Sequence, residues 1–283
     1  MQIQSFFDPN TWTITYLVWD ENSGDAVVID PVLDFDPLAV AVSTTSIDEV
    51  AAAIDDKGLK LHWVLETHAH ADHLSGSQAL KERYGAKVGI HEAIKTVQET
   101  FKGVFNADFA TDGSQFDGLL EDGQVLEAGS LKLKVLHTPG HTPACASFVV
   151  EDAVFTGDAL FMPDFGTGRC DFPAGSAEDL YDSIHKLYAL PDETRVFVGH
   201  DYGTGGRDIA WETTIGASKA GNVQLPAGRS REEFVQFRTA RDAKLNPPKL
   251  IFQSVQVNAN AGILPAAEDN GITYLKLPMG IFS

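Results

Sequence analysis

Cysteine is scarce in this chain of 283 residues, which has only Cys145 and Cys170. Two cysteines are too few for a disulfide scaffold or for a zinc site built from cysteine alone. The chain also lacks an uncharged apolar run of the ~20 residues that a membrane helix needs. Its first residues lack the basic and apolar regions of a secretory signal. We therefore expect a soluble, cytoplasmic protein with reduced thiols and no membrane partner.

Positive charge is scarce as well. Lysine and arginine total 21 against 40 aspartates and glutamates, so the formal net charge is -19. A field of this sign repels phosphate backbones, which argues against a nucleic-acid partner. An anionic substrate would need local cations that overcome this field at the site itself.

The composition is otherwise that of a folded protein. Apolar residues make up 43% of the chain and charged residues 22%, values that exclude disorder and coiled coil. No internal repeat, low-complexity tract or flexible linker divides the sequence. We therefore expect a single domain over residues 1–283, with a C-terminal helical annex from about residue 204.

Runs of β-branched and aromatic residues alternate with helical patterns, which predicts an α/β protein. Strands are predicted at residues 12–19, 26–30, 61–66, 87–90, 131–136, 146–150, 153–156 and 195–199. Helices are predicted at residues 47–57, 76–84, 177–190, 208–220 and 230–244. Helix caps are predicted at Ser46, Ser176 and Ser230.

A dense histidine cluster follows one of these predicted strands. His68, His70, Asp72 and His73 lie in the segment Thr67-His-Ala-His-Ala-Asp-His73. Burying three imidazoles and a carboxylate side by side is costly unless a cation compensates them. The spacing lets residues 68 and 70 point one way and residues 72 and 73 another, so two neighbouring metal positions can be built.

Three further residues with metal-ligand chemistry follow predicted strands. They are His141 in Thr138-Pro-Gly-His-Thr142, Asp158 in Phe155-Thr-Gly-Asp158, and His200 directly after Gly199. Each of these short segments is a weak signal alone. In this order, downstream of the histidine cluster, they form a specific pattern for a metal centre.

This pattern resembles the metallo-β-lactamase superfamily, whose signature is a His-x-His-x-Asp-His loop followed by single His, Asp and His ligands. The resemblance implies an αββα sandwich, in which helices flank two mixed β-sheets and the metal site lies at the sheet edges. More closely, the chain resembles the persulfide dioxygenases of that superfamily. The segments that carry the closer likeness are Phe6-Phe-Asp-Pro, Thr13-Ile-Thr-Tyr16, Val28-Ile-Asp-Pro-Val32, residues 67–73, Thr156-Gly-Asp-Ala159, Gly168-Arg-Cys-Asp-Phe172 and Gly199-His-Asp-Tyr202. Ala69, Cys170 and the longer stretch 161–168 depart from other members.

The closer resemblance implies one Fe(II) per chain, held by His68, His141 and Asp158, with no organic cofactor. Two imidazoles and one carboxylate leave positions open for a substrate sulfur and for O2. The implied reaction oxidises glutathione persulfide, or a related low-molecular-weight thiol persulfide, to sulfite and free thiol. The residues expected to orient the ligands and order water are His70, Asp72, His73 and His200.

The same residues also fit a glyoxalase II-type hydrolase of a glutathione thioester, because a fold does not choose a reaction. In that alternative, one metal is held by His68, His70 and His141, the other by Asp72, His73 and His200, and Asp158 bridges them. Against it stands Ala69, since glyoxalase II enzymes typically carry a further histidine in this loop. Another hydrolase of the superfamily is a further alternative. A metal-free binding protein is the last one, against which the complete ligand set speaks.

Cations and a tyrosine are the candidates for substrate binding. Arg169 is expected to clamp a carboxylate of glutathione, because a planar guanidinium matches a carboxylate at two points; the competing interpretation is an ion pair with Asp171. Tyr202 is expected to donate a hydrogen bond to the bound sulfur or oxygen, with simple packing as its alternative. Candidates to complete the pocket, or to lie at the solvated surface, are Lys219, Asn222, Arg238 and Arg241.

The two cysteines differ in expected role. Cys145 is expected to be a small buried residue. Cys170 is next to Arg169, which would favour its thiolate and make it either redox-sensitive or a bystander. We also expect a homodimer.

Overall fold

The structure is a computed structural model that describes residues 1–280. Its strands in chain order are β1 (Gln2–Asp8), β2 (Thr13–Trp19), β3 (Asp25–Ile29), β4 (Val32–Asp36), β5 (Ala41–Ser43), β6 (Lys60–Leu65), β7 (Leu74–Ser75), β8 (Lys87–His91), β9 (Gly118–Leu120), β10 (Val125–Ala128), β11 (Leu131–His137), β12 (Ala146–Val150), β13 (Ala153–Phe155), β14 (Arg195–Phe197) and β15 (Glu212–Thr214). Its α-helices are α1 (Thr45–Lys57), α2 (Ser77–Tyr84), α3 (Ile94–Phe105), α4 (Ala177–Tyr188), α5 (Ile215–Gly221), α6 (Arg231–Asp242) and α7 (Ile251–Asn258).

Two six-stranded mixed sheets organise these elements. The first has the order β1-β2-β3-β6-β8-β9 and the second β10-β11-β12-β13-β14-β15, while a small third sheet has the order β5-β4-β7. In the first sheet the run from β3 to β9 is parallel. In the second sheet only β13 and β14 pair in parallel. The ends of parallel neighbouring strands lie at the same edge of a sheet. The polar loops that follow β6, β13 and β14 are therefore where site residues can come together.

The main core lies between the two large sheets. Buried aromatic rings from both sheets meet there, with Tyr16 packed edge-on against Phe155 and Phe197. The Tyr16 hydroxyl donates to the backbone oxygen of Val198 over 2.6 Å, which satisfies the one polar atom of this buried ring.

Helices cover the outer face of each sheet. Val50 and Ile54 of α1 pack on the first sheet against residues that include Val28. Leu180 and Ile184 of α4 pack in the same way on the second sheet. The layer order is helix, sheet, sheet, helix, so the expected α/β sandwich is confirmed.

Helix capping follows the sequence at two of three predicted positions. Ser176 and Ser230 cap α4 and α6 by accepting the backbone N–H three residues on, and Ser230 forms a complete capping box. The cap predicted at Ser46 is wrong, because α1 begins at Thr45 and the Ser46 hydroxyl donates to Asp34 instead. The hydrogen bond to Asp34, twelve residues earlier in the chain, replaces the capping bond, and the local pattern around Ser46 does not reveal it.

The helix predicted over residues 208–220 is also wrong in its first half. Residues 212–214 form the edge strand β15 beside β14, and the helix begins only at Ile215, where Thr214 accepts from the N–H of Ala217. Consecutive threonines favour a strand through their branched Cβ. Several elements were not predicted, among them β1, α7 and α3, although Ile94, Val97, Phe101 and Phe105 of α3 recur at helical spacing.

The C-terminal part of the described chain contacts the loop that carries the histidine cluster. The Asn258 side chain at the end of α7 donates to the backbone oxygens of His70 and His73, over 2.8 and 2.7 Å. The annex therefore fixes the backbone of that loop. Within residues 1–280, no helix has both the length and the apolar character of a membrane span.

Candidate metal centre

Four strand ends deliver the polar residues of the site. The loop after β6 carries residues 68–73, the turn after β11 carries His141, and the ends of β13 and β14 lead to Asp158 and His200. Backbone hydrogen bonds join these loops: the N–H of Ala146 donates to the oxygen of Thr67, and the N–H of Ile14 donates to the oxygen of Gly199. The two sheets thus meet at one polar edge.

Two histidines and one aspartate form the tightest group at this edge. His68 Nε2 lies 3.9 Å and His141 Nε2 lies 3.6 Å from Oδ2 of Asp158. One ligand atom from each of the three residues lies within 4.8 Å of the others. Two ligand atoms that are each about 2.1 Å from a common metal lie at most about 4.2 Å apart, a limit that the two distances to Asp158 meet. The arrangement fits a two-histidine, one-carboxylate metal site.

Hydrogen bonds at Nδ1 fix the orientation of both imidazoles. The Thr67 hydroxyl donates to Oδ2 of Asp30, so it can only accept from Nδ1 of His68, 3.0 Å away. His141 Nδ1 lies 2.7 Å from the backbone oxygen of Arg169, which has no proton to give. Each ring therefore carries its proton on Nδ1 and presents an unprotonated Nε2 to the group. Burial lowers the pKa of His68 well below its usual value, in keeping with a neutral ring.

A second group adjoins the first. Ligand atoms of His70, Asp72 and His73 lie within 4.8 Å of one another. His200 Nε2 lies 3.4 Å from Asp72 Oδ2 and 3.4 Å from Asp158 Oδ1, which links the two groups. The structure thus brings together all seven residues that the sequence places at the metal centre.

His70 differs from the other histidines in its neighbours. Its Nε2 lies 3.0 Å from Oδ1 of Asp30 and 3.3 Å from Oε2 of Glu66, and all three side chains are buried. Burial alone would lower the pKa of His70, but the charge of Asp30 and the contacts with both carboxylates outweigh it and raise the pKa well above its usual value. The same pairing holds the pKa of Asp30 low against its own burial. Glu66 also accepts from the hydroxyls of Ser75 and Ser77.

Two glycines allow the loops to approach closely. A Cβ at Gly168 would overlap the backbone oxygen of Asp158, and a Cβ at Gly199 would lie 2.9 Å from Oδ1 of Asp158. Both contacts involve Asp158, a member of the first group. Any larger residue at either position would displace Asp158.

The donor set passes a chemical test for a metal ion. The buried atoms His68 Nε2, His73 Nε2, Asp158 Oδ1 and both ring nitrogens of His70 have no hydrogen-bond partner of good geometry among residues 1–280, and neither has Glu66 Oε2. Buried polar atoms without partners are costly. A cation at the position to which they point would compensate them, so these residues fit a bound metal.

Tyr202 and Arg169 lie beside this centre. The Tyr202 ring stacks at 13° on the His200 ring, 6.0 Å between centroids, and its hydroxyl has no partner within the described chain. Partial burial and the charges of Asp158 and Asp72 raise the pKa of Tyr202, so the hydroxyl keeps its proton. The Arg169 guanidinium makes two hydrogen bonds of 2.6 Å to Asp171 and one of 2.8 Å to the backbone oxygen of Asn246.

The four other predicted substrate-binding residues make no contact with the metal group. Lys219 pairs with Asp192 at 2.5 Å. Asn222 is buried and donates to the oxygen of Gly166, and Arg238 is buried against Asp242 and Gln224. Arg241 is exposed and has no ion pair within residues 1–280. The structure therefore gives three of these side chains partners within the protein.

The cysteines are free thiols in apolar surroundings. Cys145 is buried, and burial raises its pKa to about 12. Burial likewise raises the pKa of Cys170, although the expectation was that Arg169 would favour its thiolate. That expectation is wrong, because the Arg169 guanidinium is paired with Asp171 and the sulfur packs among apolar side chains.

Sequence reasoning gave no role to several residues around the metal group. Thr13 Oγ1 lies 3.2 Å from His73 Nδ1 and 3.4 Å from Asp72 Oδ2. Asp30, Glu66 and Asn258 hold the histidine loop from three other elements. A polar residue directly after a buried strand was the available signal for Asp30 and Glu66.

Comparison with known proteins places the chain in a family. The family model described as the metallo-beta-lactamase superfamily matches residues 13–200. A probable metallo-hydrolase of Burkholderia pseudomallei is 47% identical, with 99% of both chains covered. A beta-lactamase hydrolase-like protein of Agrobacterium fabrum is also 47% identical, but this chain spans only 65% of its length. Glyoxylase B2 of Dictyostelium discoideum is 45% identical, covering 98% of this chain and 97% of that protein.

Two further similarities involve proteins named ETHE1. The bovine mitochondrial persulfide dioxygenase ETHE1 is 35% identical over 92% of this chain and 89% of its own. The crystal structure of ETHE1 from Myxococcus xanthus superposes with a TM-score of 0.74 at 36% identity, covering 93% of this chain and all of that one. The sequence family, the fold and the arrangement of the metal group agree, and the chain belongs to the metallo-beta-lactamase superfamily.

Proposed function

We propose that the chain is a non-haem iron persulfide dioxygenase with one Fe(II) per chain. Its substrates are O2 and the persulfide of a low-molecular-weight thiol, of which glutathione persulfide is the one that the sequence predicts. The observation that carries the proposal is the group of His68, His141 and Asp158, whose ligand atoms lie within 4.8 Å of one another without His70. In a dinuclear hydrolase, His70 would join His68 and His141 on one metal. Here its Nε2 instead lies 3.0 Å from Asp30 and 3.3 Å from Glu66, two carboxylates outside that group, which supports His68, His141 and Asp158 as the ligand set.

The comparisons support the same reaction. The bovine relative is named persulfide dioxygenase ETHE1, and the Myxococcus structure, which shares only the name ETHE1, aligns over 93% of this chain.

The proposed reaction balances with water as a third reactant. A persulfide R–S–SH, O2 and H2O give R–SH and sulfurous acid, which ionises to sulfite. The S–S bond breaks, three oxygens become attached to the terminal sulfur, and this sulfur loses the four electrons that O2 gains. When bound by two imidazoles and one carboxylate, Fe(II) supplies open positions at which a thiolate sulfur and O2 meet.

The protein's own residues hold this site in shape. Thr67 and the backbone oxygen of Arg169 keep the Nε2 atoms of His68 and His141 unprotonated and aimed at Asp158. The Tyr202 hydroxyl, protonated and without a protein partner, donates to the sulfur or oxygen atoms of the reactants. The hydroxyl of Thr13, the first residue of β2, forms hydrogen bonds with Asp72 and His73 and so holds them at the end of the first sheet.

Two structural predictions accompany this proposal. A single domain is supported by the packing of α4 with α6 and by the hydrogen bonds from Asn258 to the histidine loop. The homodimer stays a prediction, which analytical ultracentrifugation would test.

One specific observation favours a second candidate, a glyoxalase-type hydrolase of a glutathione thioester. The group of His70, Asp72 and His73 also has ligand atoms within 4.8 Å, and Glyoxylase B2 is 45% identical. In this alternative His68, His70 and His141 would hold one metal and Asp72, His73 and His200 the other, and the pair would supply activated water.

Metal analysis of anaerobically purified protein, combined with an oxygen electrode, separates the two. The dioxygenase predicts one iron per chain and O2 uptake that depends on a thiol persulfide, with sulfite formed in equal amount. Two metals per chain, no O2 uptake and hydrolysis of a glutathione thioester would overturn the proposal. Absence of metal would favour the binding-protein alternative.

A further inference from the structure

Arg207 joins two loop segments beside the metal centre. Its guanidinium makes two hydrogen bonds to the Asp164 carboxylate, over 2.6 and 2.8 Å, and two to the Asp201 carboxylate, over 2.6 and 2.7 Å. Its fifth N–H donates to the backbone oxygen of Asp208 over 2.9 Å. A guanidinium has five N–H donors in a fixed plane, and here all five are used. We call the contact of Arg207 with Asp164 and Asp201 the arginine bridge.

Each carboxylate of the arginine bridge is next in sequence to an aromatic residue of the site. Asp164 precedes Phe165, and Asp201 precedes Tyr202. The centroids of these two rings lie 4.7 Å apart, and the Tyr202 ring also stacks on His200. The arginine bridge therefore joins the two segments at the place where their aromatic rings pack together.

The segment that carries Asp164, residues 159–168, is also anchored from its other side. The Asn222 side chain donates to the backbone oxygen of Gly166 over 3.0 Å, and the Gln224 side chain donates to that of Phe165 over 2.7 Å. Both amide side chains are buried. Residues 159–168 therefore form the fixed side of the arginine bridge.

The segment that carries Tyr202 has little regular structure. Residues 198–211 join β14 to β15, and the helical structure among them is a single 3-10 turn. Three of the four residues after Tyr202 are glycines with positive φ, namely Gly203, Gly205 and Gly206. Glycine changes conformation at little steric cost because it has no Cβ. Side-chain contacts must therefore do much of the work of fixing this segment.

Asp201 is the strongest of these contacts. Its side chain is fully buried, and its carboxylate accepts from the N–H of Ala210 over 2.8 Å as well as from Arg207. A buried carboxylate is costly unless a cation and hydrogen bonds compensate it. Arg207 is the cation that compensates Asp201, so its loss should release the residues around Tyr202.

We infer that Arg207 is a positioning residue, which holds the Tyr202 hydroxyl where it can donate to the reactants. All five hydrogen bonds of the guanidinium go to the two loop segments and none goes to the metal group. The inference rests on the proposed function, because it concerns the Tyr202 hydroxyl of that site. It predicts that loss of the arginine bridge impairs turnover and leaves the metal ligands in place.

The first experiment measures hydrogen–deuterium exchange of the anaerobically purified protein by mass spectrometry. Arg207→Lys keeps the charge but cannot bind both carboxylates at two points, and Asp164→Asn weakens only the exposed side of the arginine bridge. We expect residues 200–210 to exchange about tenfold faster in Arg207→Lys, and less than that in Asp164→Asn.

The matched control is Arg195→Lys. Arg195 also lies near two carboxylates, Asp152 and Glu212, and its side chain is 34% exposed against 29% for Arg207. It pairs with Thr214 at the far end of β14 and β15 from the Tyr202 segment. We expect this variant to leave the exchange of residues 200–210 unchanged.

The second experiment is a double-mutant cycle with O2 uptake on glutathione persulfide. We expect Arg207→Lys to lower kcat about tenfold and to leave KM within about twofold, because the hydroxyl acts on the reaction rather than on binding. Iron per chain should stay at the wild-type value. In a Tyr202→Phe background the same substitution should lower kcat by less than about twofold, since the hydroxyl that Arg207 positions is already gone.

The outcomes separate the inference from the proposed function. Unchanged exchange in both bridge variants, loss of iron, or an equal fall in kcat in the two backgrounds would each overturn the inference. If Arg207→Lys does not fold, Asp164→Asn is used for both measurements with the same criteria. A lack of persulfide-dependent O2 uptake by the iron-loaded wild type would overturn the proposed function, and the exchange rates would still decide whether Arg207 holds the Tyr202 segment.

Discussion

The Nε2 atom of His70 lies 3.0 Å from Oδ1 of Asp30, and both side chains are almost completely buried. Asp30 follows β3, whereas His70 follows β6, so this contact joins two neighbouring strands at the polar edge. The same carboxylate accepts from the N–H and the hydroxyl of Thr67, which in turn orients His68. Asp30 thus contacts His70 directly and orients His68, a proposed metal ligand, through Thr67.

Removing the charge of Asp30 should destabilise the metal-free protein. Asp30→Asn leaves His70 with Glu66 alone, and breaking a buried charged pair costs about 3–5 kcal/mol, less where one partner remains. We expect denaturant unfolding to show a loss of up to about 3 kcal/mol. The control is Asp48→Asn, which breaks an exposed pair with Arg83 and should leave the curve in place. Superimposable curves for the Asp30 variant would mean that the contact has no energetic weight.

The proposed ligand set can be tested by metal content. We expect His68→Ala, His141→Ala or Asp158→Ala each to abolish iron binding. His200→Ala should keep much of the iron, because the loss of a residue that only orients the ligands typically lowers affinity or activity ~10–100-fold. The measurement is iron per chain by elemental analysis after anaerobic purification. Loss of two metals in every variant would instead indicate the dinuclear hydrolase.

The sequence predicted the metal group because its residues form compact motifs at strand ends. Four of the seven residues lie within residues 68–73. The strand predicted at residues 61–66 places this loop correctly, directly after β6. The pairing of His70 with Asp30 was not predictable, since 40 positions separate the two residues and only the parallel pairing of β3 with β6 brings them together. Arg238 shows the same limit: a cation in a helical pattern looks solvated until the fold buries it against Asp242.

Cys170→Ser should retain most of the turnover. Burial raises the pKa of the Cys170 thiol, so it is not an available nucleophile at neutral pH. In the proposed reaction no protein sulfur takes part. Steady-state O2 uptake with a persulfide measures the effect. Complete loss of activity with iron still bound would favour a covalent relay through this residue.

The pH dependence of stability should contain a contribution from His91. Burial, together with the neighbouring His137, lowers the pKa of His91 to about 4, and the two rings stack at a centroid distance of 3.9 Å. The unfolded chain binds this proton near pH 6.5 and the folded chain only near pH 4, so stability falls as pH falls through that window.

We expect His91→Asn to reduce this slope, by at most about 1.4 kcal/mol per pH unit, since one proton is involved. The Asn oxygen can replace Nδ1 of His91 as acceptor of the N–H of Ala93. Urea unfolding of the metal-free proteins at pH 7, 6, 5 and 4 gives the two slopes. Parallel curves for wild type and variant would contradict the assignment.

Arg169 offers the sharpest contrast between sequence and structure. The sequence predicts a clamp on a glutathione carboxylate, but the guanidinium binds Asp171 at two points and the backbone of Asn246, while its own carbonyl orients His141. With these partners, Arg169→Ala should loosen the loop that positions His141. We expect lower iron occupancy and a loss in kcat/KM of similar size for glutathione persulfide and for a persulfide without carboxylates. We also expect Tm to fall by about 2–4 °C, because a loss of about 1 kcal/mol in stability has this effect in a chain of this size. Asp171→Asn should reproduce the effect, and Arg231→Ala, which breaks an exposed pair with Asp182, should not. A rise in KM confined to glutathione persulfide, with Tm unchanged, would restore the clamp predicted from the sequence, because energy used only to hold a carboxylate appears in KM for the substrate that carries one.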